Sequence, residues 1–306
     1  MKALKAAGIS NRIFVLLLVT IVGLCGYYGS AGFRRQRTAI AEIEKLAGRV
    51  QYGEAYLVSP VIELDLTHTL VTDNDLQNLK ELTKLEKLSL HGLGITNYGL
   101  LSLKSLTELR HLNVSNTQAT DTVLKNLKGS TNLEFLDLSG LKVTDAGLEH
   151  MKGFTELRVL NLSTTEINST GLEHLNKLTK LQTLFLTNTR LTDAGLVHLK
   201  DLTELENLRF SDTQVTDSGL AHLKGLAKLR NLEFFRTQVT DLGLEHLKGL
   251  ANLEVLWLPG TQVTDTGLGH LKGLTALKSL DLSRTDVTDQ GVEKLKRALP
   301  NCDIKH

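Results

Sequence analysis

From Val61 onward the apolar positions of this chain fall on a fixed grid. An apolar residue opens a new unit at Val61, Leu85, Leu109, Leu133, Leu157, Leu181, Leu205, Leu229, Leu253 and Leu277, so ten units of 24 residues follow one another without an insertion. Each unit contains two periods. Leu229, Leu232 and Phe234 alternate with polar neighbours as in a short strand, with unit positions 4 and 6 on one face and positions 3 and 5 on the other. After a turn, Leu244, Leu247 and Leu250 recur at three-residue spacing, which predicts a short helix with one apolar face. Asp241 stands where an N-cap is expected, and Gly249 falls just past the helix end. A unit is therefore expected to be strand, turn and short helix. A single unit cannot bury its own leucines, whereas stacked units can.

A strict period of this length, with leucines at positions 1, 4 and 6, is a repeat signature. The unit reads L-x-x-L-x-L-S-x-T-x-V-T-D-x-G-L-x-H-L-K-G-L-x-x, and from Val61 to Ile304 the chain resembles the leucine-rich repeat family, in particular its bacterial membrane-anchored members. The resemblance implies an α/β leucine-rich repeat solenoid, or horseshoe, of ten repeats, with a parallel concave sheet, short convex helices and partners met on the strand side. Where the family usually carries asparagine at position 9, this chain has Thr69, Thr117, Thr165, Thr189, Thr213, Thr237, Thr261 and Thr285. Their hydroxyls are expected to satisfy part of the turn backbone.

Ahead of the repeats the composition changes. Residues 1–12 form a basic tail with Lys2, Lys5 and Arg12, and residues 13–29 (IFVLLLVTIVGLCGYYG) are uncharged and mostly apolar. A run of 17 residues is at the short end of what spans a bilayer as a helix. Gly29 and Ala31 are small enough for signal cleavage, but Arg34, Arg35 and Arg37 follow directly, so the expectation is an uncleaved signal anchor, a transmembrane helix preceding the solenoid. The flanking charges nearly balance, and the repeat domain is expected outside the cytoplasm. Residues 30–60 are expected to form a juxtamembrane helix near Thr38 to Leu46 and an N-terminal capping strand in GRVQY. Residues 61–306 are expected to form the repeat domain, closed by a partial cap in which Ile304 takes the place of a strand leucine.

Composition adds mostly exclusions. A formal net charge of +1 and 23% charged residues give no bulk attraction to nucleic acid. No glycine-rich phosphate loop, paired-cysteine motif or H-E-x-x-H is present, so no cofactor, metal, catalytic residue or small-molecule substrate is expected. A histidine column at position 18 (His150, His174, His198, His222, His246, His270) is assigned to the repetition of the unit, because a straight column supplies no convergent ligand geometry. A lysine column at position 20 runs from Lys80 to Lys296, interrupted at Asn176; each lysine is expected in a last helical turn, where a cation is favoured. At position 2 the charges alternate along Glu86, Arg110, Glu134, Arg158, Gln182, Glu206, Arg230, Glu254 and Lys278, a ladder that penalises register slips.

One stretch departs from the monotony. From the sixth unit on, the variable strand-side positions carry Phe185, Arg209 and Trp257 at position 5, Phe235 at position 7, and Arg236 and Arg284 at position 8, with Glu233 expected to pair with Arg209 on the adjacent unit. Aromatic residues and arginines on one surface are the types enriched in binding hot spots. These seven residues are the candidate concave site for a protein or peptide ligand; the other role they could have is to pack on one another across units. The expected function is non-catalytic protein or peptide recognition by a membrane-anchored solenoid. An envelope scaffold touching anionic lipid or polymer through the lysine column is the alternative.

Overall fold

The computed structural model describes residues 31–45, 49–52 and 60–306. The basic tail 1–12 and the apolar run 13–29 expected to anchor the chain lie outside the described residues. Among the described residues no helix is long and apolar enough to cross a membrane.

The alternating half of each unit becomes a strand of about three residues. The described strands are β1 (Arg49–Tyr52), β2 (Val61–Asp65), β3 (Lys87–Ser89), β4 (His111–Asn113), β5 (Phe135–Asp137), β6 (Val159–Asn161), β7 (Thr183–Phe185), β8 (Asn207–Arg209), β9 (Asn231–Glu233), β10 (Val255–Trp257), β11 (Ser279–Asp281) and β12 (Asp303–Lys305). They form one sheet in chain order. From β2 to β12 neighbouring strands are parallel and in strict 24-residue register, so Leu208, Leu232 and Leu256 stand level with one another. The leucines of positions 1, 4 and 6 are buried, while positions 3 and 5 face the other way. Phe210 and Phe234, both at position 6, stack within the core with centroids 5.6 Å apart.

At the N-terminal edge β1 runs antiparallel to β2, and Arg49 pairs with Asp65 at 2.8 Å. The helix before it, α1, spans Ala31–Lys45 and so begins well before Thr38. Thr38 does not start a helix; its hydroxyl donates to the carbonyl of Arg34 inside α1, 3.0 Å away. At the other edge Ile304 stands level with Leu280 in a further parallel strand. Cys302 is buried beside it, and burial, reinforced by Asp303, pushes its thiol up to about 11.

The convex segments correct the sequence reading in three respects. Some are single α turns, such as Asp217–Leu220 and Asp241–Glu245, but Asp75–Glu81, Gly99–Ser105, Gly171–Leu175 and Gly267–His270 are 3₁₀. Leu250 N–H donates to Leu247 and Leu247 to Leu244, the i to i+3 pattern, and a three-residue leucine spacing matches the three residues per turn of that helix. Gly249 does not adopt a left-handed C-cap, since the positive-φ glycines among the described residues are Gly92, Gly140 and Gly260. Finally, Asp241 does not cap its own helix. Thr240 is the N-cap, accepting from Leu242 N–H.

The aspartate instead fastens one rung to the next. Asp241 accepts from the N–H and the hydroxyl of Thr264, both at 2.7 Å, and Asp217 does the same to Thr240. The clasp recurs from Asp121 to Thr144, Asp193 to Thr216 and Asp265 to Thr288. Hydrogen bonds from Thr288, its backbone N–H foremost, hold the Asp265 carboxyl below the ordinary range. Where the position is Asn97, its oxygen accepts from Thr120 N–H and its amide donates to the Thr120 hydroxyl. The glycine two residues after the aspartate makes room for the clasp of the preceding rung: a methyl group at Gly243 would stand 2.5 Å from Asp217 Oδ1. The T-D-x-G phrase is thus one inter-rung joint. The position 9 threonines hold the turn, as Thr237 Oγ1 donates to Phe234 O at 2.8 Å and the other seven repeat this bond.

Candidate partner-binding surface

Each strand from β2 to β12 contributes its position 5 side chain to one concave row, spaced by the roughly 4.8 Å between neighbouring strands. In the C-terminal half that row reads Phe185, Arg209, Glu233, Trp257, Asp281 and Lys305, with consecutive members level across β7 to β12. The groups interlock. The Arg209 guanidinium lies over the Phe185 ring, 4.8 Å from its centroid. Its Nε is 3.0 Å from Glu233 Oε1. Trp257 follows, 39% exposed, its indole N–H donating to Ser279 Oγ at 3.1 Å.

Glu233 differs from the exposed position anticipated for it, being only 5% exposed. It lies in the row between Arg209 and Trp257 and fixes the former. Burial pushes its carboxyl pKa upward, and the attraction of Arg209 offsets this only in part. The desolvation cost of a carboxylate placed among neighbours therefore outweighs a single ion pair.

Phe185, Phe235 and Trp257 form no ring pair with one another. Ring pairs among the described residues are Phe210 with Phe234 and His111 with Phe135. Phe185 and Trp257 are three strands apart, about 14 Å, too far for contact between them. Phe235 is half-buried and carries the Arg236 guanidinium 5.4 Å from its centroid.

Position 8, read from sequence as strand-face surface, is the left-handed corner of the turn in all ten units. Gly92, Gly140 and Gly260 occupy it with φ near +70°, and His68, Asn116, Thr164, Asn188, Asp212, Arg236 and Arg284 adopt φ between 53° and 62°. Arg236 is fixed there by Asp212, with Nε to Oδ1 at 2.8 Å and a second bond of 3.1 Å. A cavity of about 290 Å³ opens between this corner and the end of the row, and Phe235, Arg236, Pro259, Asp281, Arg284 and Lys305 line it. Three of the seven candidate residues thus meet in one concavity, while Phe185, Arg209, Glu233 and Trp257 form the adjoining row.

At the N-terminal end of the same face a second cavity, of about 250 Å³, is lined by Glu63, Asp65, Lys87, His111, Asn113 and Phe135 among others. His111 and Phe135 stand at position 3, outside positions 5, 7 and 8 from which the candidate residues come, so the sequence does not single this cavity out. These rings are stacked 6.1 Å apart. Burial first, then nearby Lys87, holds the His111 imidazole below its ordinary pKa.

Outside the concave face, the position 2 ladder forms as ion pairs: Arg110 bridges Glu86 and Glu134 at 3.8 and 2.7 Å, and Arg230 bridges Glu206 and Glu254. Lys152 and Lys248 pair with Glu149 and Glu245 on their own turns, which dilutes the lysine column. No group of three or more His, Cys, Asp or Glu side chains among the described residues is placed to hold a metal ion.

The family described as Leucine Rich repeat matches residues 273–296. No curated protein sequence matches the chain. Solved structures do. An internalin C2 from Listeria monocytogenes is similar at 28% identity, the match covering 73% of this chain and 86% of that one with a TM-score of 0.53. A second internalin (inlF) from that organism matches 88% of this chain and 94% of its own, at 20% identity and a TM-score of 0.52. The ectodomain of the Arabidopsis receptor kinase HAESA, in complex with an N-terminally extended IDA peptide hormone, matches 84% of this chain and 46% of its own, at 18% identity and a TM-score of 0.61. The last two bear on the fold alone. With in-register parallel strands every 24 residues, buried leucines at positions 1, 4 and 6, and these similarities, the chain folds as a leucine-rich repeat solenoid.

Proposed function

We propose that this protein recognises a protein or peptide partner without catalysis, through the C-terminal half of its concave face, and that residues 13–29 anchor it in a membrane with the repeats outside the cytoplasm. The anchoring half of the reading rests on the sequence of that apolar run. The observation that carries the recognition half is the row Phe185, Arg209, Glu233 and Trp257. Its side chains are already held by a cation–π contact, an ion pair and an indole hydrogen bond. A surface ordered before binding loses little conformational entropy on association. Exposed aromatic and arginine side chains are the residues from which affinity is most often drawn. The peptide held by the HAESA ectodomain lends support by analogy of fold.

Trp257→Ala should weaken binding to envelope protein fractions by about 2 kcal/mol, roughly thirtyfold, while the urea unfolding midpoint stays close to that of the parent. Loss of folding along with binding would make the row a structural feature. Retention on anionic vesicles at low salt alone, with no saturable protein binding, would instead favour contact through the convex lysine column, since exposed charge attraction is screened within about 8 Å at physiological ionic strength.

A further inference from the structure

We infer that the cavity between Phe235 and Arg284 receives an acidic side chain of the partner peptide, held by the Arg284 guanidinium while a neighbouring apolar residue rests on Phe235 and Pro259. This rests on the recognition reading above and specifies the chemistry of the partner.

The charges lining the cavity are almost all accounted for internally. Arg236 is doubly bonded to Asp212. Asp281 accepts from Ser283 N–H at 2.9 Å and from Lys305 at 3.2 Å. Arg284 differs: it is exposed, and among the described residues it makes no ion pair or hydrogen bond. Ser283 Oγ beside it is buried against Asp281 and helps to hold that carboxyl below its ordinary range. At the same place in other rungs, Ser115 and Ser139 donate to Asn113 and Asp137. An unpaired guanidinium therefore lines a concavity that Phe235 and Pro259 also line.

The backbone sharpens the point. Arg284 has φ 59°, in the left-handed region that favours glycine, and three other rungs do place glycine at this corner. For Arg236 the pair with Asp212 supplies an internal reason to keep an arginine. Arg284 has no such pair, so its guanidinium is left free for a group outside the chain. A carboxylate suits the planar fork of its donors.

The test uses the full chain and a displayed library of random twelve-residue peptides, followed by affinity measurements on the selected sequences with the parent, Arg284→Gly and Trp257→Ala. Selected peptides are expected to carry Asp or Glu beside an apolar residue and to bind Arg284→Gly about tenfold more weakly, although that variant melts at the same temperature as the parent or higher. Exchange of the acidic residue for its amide should remove the same factor from the parent and nothing from the variant. Peptides without an acidic residue, or acidic peptides that bind Arg284→Gly and the parent equally while losing affinity for Trp257→Ala, would overturn this inference and leave the recognition reading standing. A library that yields no specific binder would overturn both.

Discussion

At the scale of single residues, Glu233 shows where burial and pairing disagree. Its carboxylate has an arginine at 3.0 Å, yet it is so nearly enclosed that its pKa is raised. A carboxyl that is harder to ionise in the fold holds its proton more tightly there than in the unfolded chain. Its contribution to stability is therefore greatest below the ordinary glutamate value of 4.5 and falls as the pH rises through the raised value. Glu233→Gln removes that loss. The unfolding free energy of the variant relative to the parent should increase between about pH 4 and about pH 7, as followed by urea denaturation; a constant or falling difference would contradict the burial account. The sequence shows only half of this. The pairing of Glu233 with Arg209 follows from the 24-residue offset, but its burial depends on the neighbours of an entire row.

At the scale of the element, the unit divides into what periodicity dictates and what the neighbouring rung dictates. Strand, turn and convex turn follow from two hydrophobic periods in one 24-residue unit, and the core leucines fall where those periods put them. The T-D-x-G phrase reads differently in one rung than in two. Within a single unit the aspartate looks like a cap and the glycine like part of a helix, whereas across rungs they are the two sides of a joint. The bond spans 23 residues, a separation at which local signals carry no information. Gly243→Ala should destabilise the protein by about 1–3 kcal/mol through the clash with the Asp217 carboxylate, read as a lower urea midpoint. Asp241→Asn should be better tolerated than Asp241→Ala, because Asn97 already makes the same clasp to Thr120 with an amide. Equal losses for the two Asp241 variants would mean that the clasp adds little. The left-handed corner at position 8 was hidden for a related reason: Arg, Thr, Asp and His at that place mask a requirement that its three glycines reveal only once the register is known.

At the scale of the whole molecule, each rung touches mainly its neighbours, so a repeat array is as strong as its joints and its ends. The strand of Arg49–Tyr52 and the helix of Ala31–Lys45 lie at one end, where the antiparallel pairing of β1 with β2 ends the parallel series. At the other end the helix of Asp289–Ala298 and the strand of Asp303–Lys305 close the last rung over Cys302 and Ile304. Between them the concave face is uneven. Its C-terminal half carries the interlocked aromatic and charged row, and its N-terminal end carries the smaller cavity around His111 and Phe135. The patch could be found in the sequence because aromatic residues are few there, with one tryptophan and eight phenylalanines in 306 residues. Its division into a pinned row and a separate cavity needed the three-dimensional register. That single tryptophan also makes the central claim directly testable. Emission from Trp257 in the full chain should shift and saturate as a selected peptide is titrated, with the midpoint that calorimetry gives for the same peptide. A peptide that binds by calorimetry while Trp257 emission stays unchanged would place recognition elsewhere and contradict the account.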